Sequence, residues 1–95
     1  MEHTYQQLDK EILHNIKPGD IIERMLGFVI PDYLRVTEVN DQFIYCGPKN
    51  VGWKFDRDTG LEVDEDLTTT PSYLARVLTE EQKVKAKTLK RGERV

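Results

Sequence analysis

The sequence predicts a mainly β protein of the α+β class. It reads as one small antiparallel barrel or curled sheet of about five strands, with a short helix at each end. Three observations carry this reading. Between positions 20 and 63 short apolar runs alternate with turn residues every eight to twelve positions. Trp53 and Phe55, then Leu61 and Val63, show the period of two that belongs to half-buried strands. Both ends instead show helical spacing and capping signals.

Ninety-five residues make one domain, with a β core over 18–66. A chain this short buries roughly 60–65% of its unfolded surface, which leaves no room for a catalytic cleft between domains. Apolar residues make up 38% and charged residues 33%, so the ends are expected to be polar and exposed.

Residues 4–15 read as a helix. Tyr5, Leu8, Ile12 and Ile16 form its apolar stripe, and Thr4 with Gln7 forms a capping box. Pro18 ends it, and Lys17-Pro18-Gly19-Asp20 turns the chain into the first strand, Ile21–Leu26. That strand is apolar on both faces, and two readings stand: it sits centrally in the sheet, or it bends so that it packs two ways. The connection 28–31 (Phe28, Val29, Ile30, Pro31) is unusually apolar, and two readings stand side by side: buried core, or a surface that meets a partner.

Residues 33–39 form the next strand, Asn40-Asp41 a turn, and 42–46 its hairpin partner. Trp53 and Phe55 then pair with Leu61 and Val63 across the turn at 56–60, where Gly60 takes the positive φ. The expected core is Leu34, Val36, Ile44, Trp53 and Phe55.

After the polar run 68–70, Thr70 caps a helical segment with Pro71 in its first turn and Tyr73, Leu74, Val77 and Leu78 on its apolar face. The segment runs to about residue 91. Thr79 with Gln82 gives a second capping signal within it. A basic tail begins at Lys83: six cations against Glu93 give it +5, and with a net charge of −3 the rest of the chain carries −8.

These features exclude several functions. One cysteine, Cys46, allows neither an intrachain disulfide nor paired metal thiolates, and reads as a buried strand residue. Asp56, Asp58, Glu62 and the run 64–66 invite a cation-site reading, but Gly60 falls one position early for the calcium-loop pattern. Turn hydrogen bonds and solvated acids are expected there instead. His3 and His14 are too far apart for a helical metal pair and read as surface residues. No catalytic order, phosphate loop, metal set or cofactor motif is present in the sequence. The polar first eleven residues do not read as a secretory signal, and no apolar run approaches the ~20 residues of a membrane span. A cytoplasmic protein without a cofactor is the expectation.

Two resemblances follow from these elements. Pro18 to Leu26 (PGDIIERML), Leu34 to Val39 (LRVTEV) and Ile44 to Gly47 (IYCG) are followed by W-x-FD-x-x-TG-x-E-x-DE-x-L. That last pattern is Trp53, Phe55, Asp56, Thr59, Gly60, Glu62, Asp64, Glu65 and Leu67. Together they resemble a group of short bacterial proteins with no assigned function, over about residues 18–74. Thr68 and Thr69 stand where that group carries Gly-Trp, while Ser72-Tyr73-Leu74 is kept. The resemblance implies a shared fold and no activity. Gly19-Asp20 before a first strand, a longer connection and short meandering strands are also similar to the layout of SH3-like barrels.

Function is therefore expected from surfaces. The candidate partner surface is Phe28, Val29, Ile30, Tyr33 and Tyr45, for a protein partner or a second copy of the chain. The alternative is nucleic acid, with Arg35, Lys49 and Lys54 as basic contacts beside the aromatics and the basic tail adding charge; the acidic body opposes it.

Overall fold

The first strand, Ile21–Leu26 (β1), is central in the sheet, with a strand paired to each of its edges. A computed structural model describes residues 8–26, 30–47, 52–63 and 72–89. Around β1 lie α1 (Lys10–Asn15), β2 (Ile30–Val39), β3 (Phe43–Cys46), β4 (Trp53–Asp56), β5 (Tyr73–Val77) and α2 (Glu80–Ala86). The strands are antiparallel in the order β4-β3-β2-β1-β5. The result is a curled half-barrel with two short helices.

Two register shifts help the sheet curl, one between Glu23 and Arg24 against β5 and one between Val36 and Glu38 against β3. Thr37 Oγ1 ties the second to β3 by donating to the carbonyls of Tyr45 (3.3 Å) and Gly47 (3.0 Å). Residues 60–63 then link the two outer strands. Asp56 N donates to Leu61 O and Val63 N to Lys54 O, while Glu62 N donates to Ser72 O and Leu74 N to Gly60 O.

The core forms on the concave side. Ile22, Val36, Ile44, Cys46, Phe55 and Leu74 meet Leu13 and Ile16, which α1 and the residue after it deliver. Leu34 and Trp53 pack against this cluster but are half-buried. Arg24 explains Trp53: its guanidinium lies 5.4 Å from the ring centroid and occupies one face of the indole. A Cβ on Gly47 would stand 3.3 Å from Trp53 Cζ3, so the glycine lets the ring lie close to the backbone.

Three expectations are corrected. Residues 73–77 are strand, although their apolar spacing fits a helix. Central β1 offers a second ladder edge there, and pairing with it outweighs local propensity. Only the second capping signal starts a helix: Thr79 and Gln82 form a capping box for α2, and positions 70 and 71 lie outside the described residues. In α1 the helix begins at Lys10, so Leu13 is buried while Ile12 is 42% exposed; Thr4 to Gln7 lie outside the described residues. In the 53–63 hairpin Phe55 opposes Glu62, and neither Leu61 nor Val63. A shift of one residue reverses the faces, so Glu62 turns inward and Val63 is exposed.

The position of Phe55 sets an expected outcome. Phe55→Ala empties the centre of the core and should cost about 3–5 kcal/mol in urea unfolding. Trp53→Ala should cost clearly less, since one indole face meets Arg24. The opposite ranking would contradict this core.

Candidate functional site

Alternation along the strands gives the sheet two chemically different faces. Val36 points into the core, so Tyr33 and Arg35 point outward, and Ile21 and Glu23 of β1 sit opposite Arg35 and Tyr33 on that side. Ile44 and Phe55 are core partners, so Phe43 and Tyr45 of β3 face outward beside Asp56 and Lys54 of β4.

The candidate residues fall into two outer clusters. Tyr45 and Lys54 are direct register partners, with Phe43 completing the group. The Phe43 and Tyr45 rings meet edge-on at 6.2 Å and 65°, and Lys54 Nζ stands 4.6 Å from the Phe43 centroid. Tyr33 and Arg35 sit two residues apart on β2. The exposed Ile30 is not with them, because alternation puts it on the side of Leu34 and Val36. Phe28, Val29 and Lys49 lie outside the described residues.

Tyr33 and Arg35 form part of the floor of a groove of about 420 Å³, together with Ile21. Helix α2 forms its wall, with Glu80, Lys83, Val84 and the C-cap residue Lys87. No residue of α2 is buried, and Val84 is 65% exposed. The Tyr33 ring is fixed from behind: its hydroxyl donates to Glu23 Oε2 at 2.9 Å. Glu23 is fully buried and also accepts from Arg76 Nη2 (2.9 Å) and Nε (3.2 Å). A buried carboxylate with charge-assisted partners holds its neighbours rigidly.

The acids of the hairpin are engaged separately. Asp56 Oδ1 accepts from the backbone N–H of Asp58 and Thr59, as turn chemistry requires. Glu62 accepts from Arg24 through both oxygens, at 3.0 and 3.1 Å. Asp58 meets His14 at 2.9 Å, and that hydrogen bond pulls its carboxyl below the usual range. Among the described residues no group of three metal-ligating side chains converges; the run 64–66 lies outside them. Nor is any helix among them long and apolar enough to cross a membrane.

Arg57 was invisible to pattern reading, which saw only a turn. Its buried guanidinium donates to four carbonyls: Asn40 (2.7 Å), His14 (2.8 Å), Ile16 (3.0 Å) and Leu13 (3.3 Å). Lys83 and Lys87 are legible in the sequence as the start of the basic tail; the 80, 83, 84, 87 spacing groups them on one helical face.

No family model, curated protein or solved structure matches this chain.

Two outcomes follow from these environments. Arg57→Ala leaves carbonyls at the end of α1 without their donor; it should cost about 3 kcal/mol and raise amide exchange in α1 first. Arg57→Lys should recover less than half of that loss, since a single ammonium cannot span four acceptors. Burial pushes the Cys46 thiol up from 9.0 to about 12, against the opposing charge of Arg24. The unfolded thiol then ionises first, so the unfolded state holds fewer protons and stability falls as pH rises from about 9 toward 12. Cys46→Ala should remove that part of the pH slope. An identical slope in both proteins would contradict the burial of the thiol.

Proposed function

We propose that this protein is a small, non-catalytic binding module that engages a protein through the outer face of its sheet. The observation that carries this reading is the pair of outer clusters, Phe43–Tyr45–Lys54 and Tyr33–Arg35. Tyrosine and arginine are among the side chains that concentrate binding energy in interfaces. The non-catalytic reading rests on the hairpin acids: Asp56, Asp58 and Glu62 each serve a turn or a pair. Within this proposal the half-barrel is of the SH3-like kind and the partner is another protein or a second copy of the chain. We place it in the cytoplasm, where a free thiol such as Cys46 stays reduced.

One observation favours a second reading. Phe43, Tyr45, Arg35 and Lys54 combine rings and cations as single-strand nucleic-acid binders do. The −8 carried by the body works against it, because phosphate attraction dominates such binding.

Site-specific photocrosslinking separates the readings. A photoreactive residue at position 45 should trap a discrete protein adduct in cells, one at the remote exposed position 12 should not, and Lys54→Glu should abolish the adduct. An adduct of twice the chain mass identifies a homodimer, which light scattering at low and high salt would confirm. A nuclease-sensitive adduct favours nucleic acid. Equal labelling from both positions would remove the outer face as the binding surface.

A further inference from the structure

We propose that the groove between α2 and strands β1 and β2 is a docking site for a short acidic peptide segment carrying an apolar side chain. This deepens the binding-module reading and rests on it. The groove offers two chemistries side by side. Its apolar part is the Tyr33 ring, Ile21 and Val84. Its polar part is cationic: Arg35, Lys83 and Lys87 line it against one acid, Glu80, which is already paired to Lys83 at 2.9 Å. Among the described residues Arg35 and Lys87 have no ion-pair partner, which leaves two uncompensated positive charges beside an apolar floor.

Shape points to an extended segment. Glu80, Lys83, Val84 and Lys87 lie on one helical face, at steps of three and four. Seven steps of about 1.5 Å make a wall of about 10 Å, the reach of about three extended residues. The groove volume falls within the roughly 300–1,000 Å³ usual for ligand sites. The floor is preorganised, because Glu23 holds the Tyr33 hydroxyl and Arg76 holds Glu23. Arg35 supplies a planar fork that matches a carboxylate.

Charge separates a peptide from a nucleic acid. The body carries −8, and it repels every phosphate of a long polyanion. A segment with two or three acids meets that field only weakly, because screening acts beyond about 8 Å at physiological salt. The contacting cations then decide. The peptide also fills the space between Val84 and the sheet, which no residue of α2 fills.

The test is selection from a displayed library of random peptides on the full chain, followed by fluorescence polarisation of the recovered peptides. Recovered sequences should carry Asp or Glu beside Leu, Ile or Phe. Arg35→Glu combined with Lys87→Glu should weaken them by about tenfold or more, as loss of two charge-assisted contacts requires. Val84→Glu should weaken them independently; all three positions are exposed, and circular dichroism should show the fold retained. Ile12→Gln, at an exposed position of α1 outside the groove lining, should leave the affinity within about a factor of two. Peptides lacking acids, or insensitive to the groove variants, overturn the docking site. If those same peptides depend on Tyr45 and Lys54, the binding module stands and only the groove falls. Recovery of no peptide overturns both, and single-stranded oligothymidylate binding that the groove variants abolish would assign the groove to nucleic acid.

Discussion

The guanidinium of Arg57 is the point on which the lower half of the molecule depends. A six-residue helix such as α1 has little stability of its own, and its last carbonyls have no partners within it. Arg57 reaches those carbonyls from the β4 hairpin and adds Asn40 from the β2–β3 turn. A positive charge also suits the negative end of the helix. One side chain thus fixes three segments that are far apart in sequence. Leu13 and Ile16 can enter the core only where that anchor places them. His14 and Asp58 meet beside it, outside the core.

The same pattern recurs higher in the sheet with the charges reversed. Glu23 lies buried between Tyr33 and Arg76, and Arg24, its neighbour in sequence, points to the other face toward Glu62, Asp32 and Trp53. Replacing such pairs by apolar residues is often neutral or stabilising, so net stability alone does not account for them. What they do specify is register. A slip of one residue would exchange the faces of Glu23 and Arg24 and leave both charges facing the wrong partners. On one side this network fixes β1 against β5; on the other it fixes the segment 60–63 against the core. The ion pairs therefore hold the curl that the two register shifts begin.

Pattern reading reached the features that depend on alternation and missed those that depend on partners. The strands 21–26 and 43–46 and the turn at Asn40 were legible, because each repeats a local rule; Asn40 Oδ1 accepts from the N–H of Gln42 and Phe43. The strand at 73–77 was not, since what decides it is the vacant edge of β1, more than forty positions earlier. Glu62 was misplaced for the same reason: only the pairing across the turn says which face it takes. At the candidate site Tyr45 and Lys54 were found through composition, but their adjacency is a fact of register. Arg35 is legible as a charge, while its neighbours in the groove come from α2, whose start at Glu80 depends on the preceding residues pairing with β1.

The curl has a consequence for the kind of ligand the outer face can hold. A sheet that closes around a core on its concave side spreads its side chains on the convex side. A flat aromatic platform, on which successive bases stack, needs neighbouring rings at similar height. Here the rings occur as separated clusters, with Phe43 and Tyr45 edge-on at 65° and Tyr33 apart on β2. Edge-on rings form no coplanar platform for successive bases, and the angle between them leaves a notch for a side chain. The cations follow the same division: Lys54 covers the Phe43 ring, and Arg35 stands at the groove. Curvature thus favours partners that insert individual side chains over partners that lie flat, and it does so through the same register shifts that complete the core.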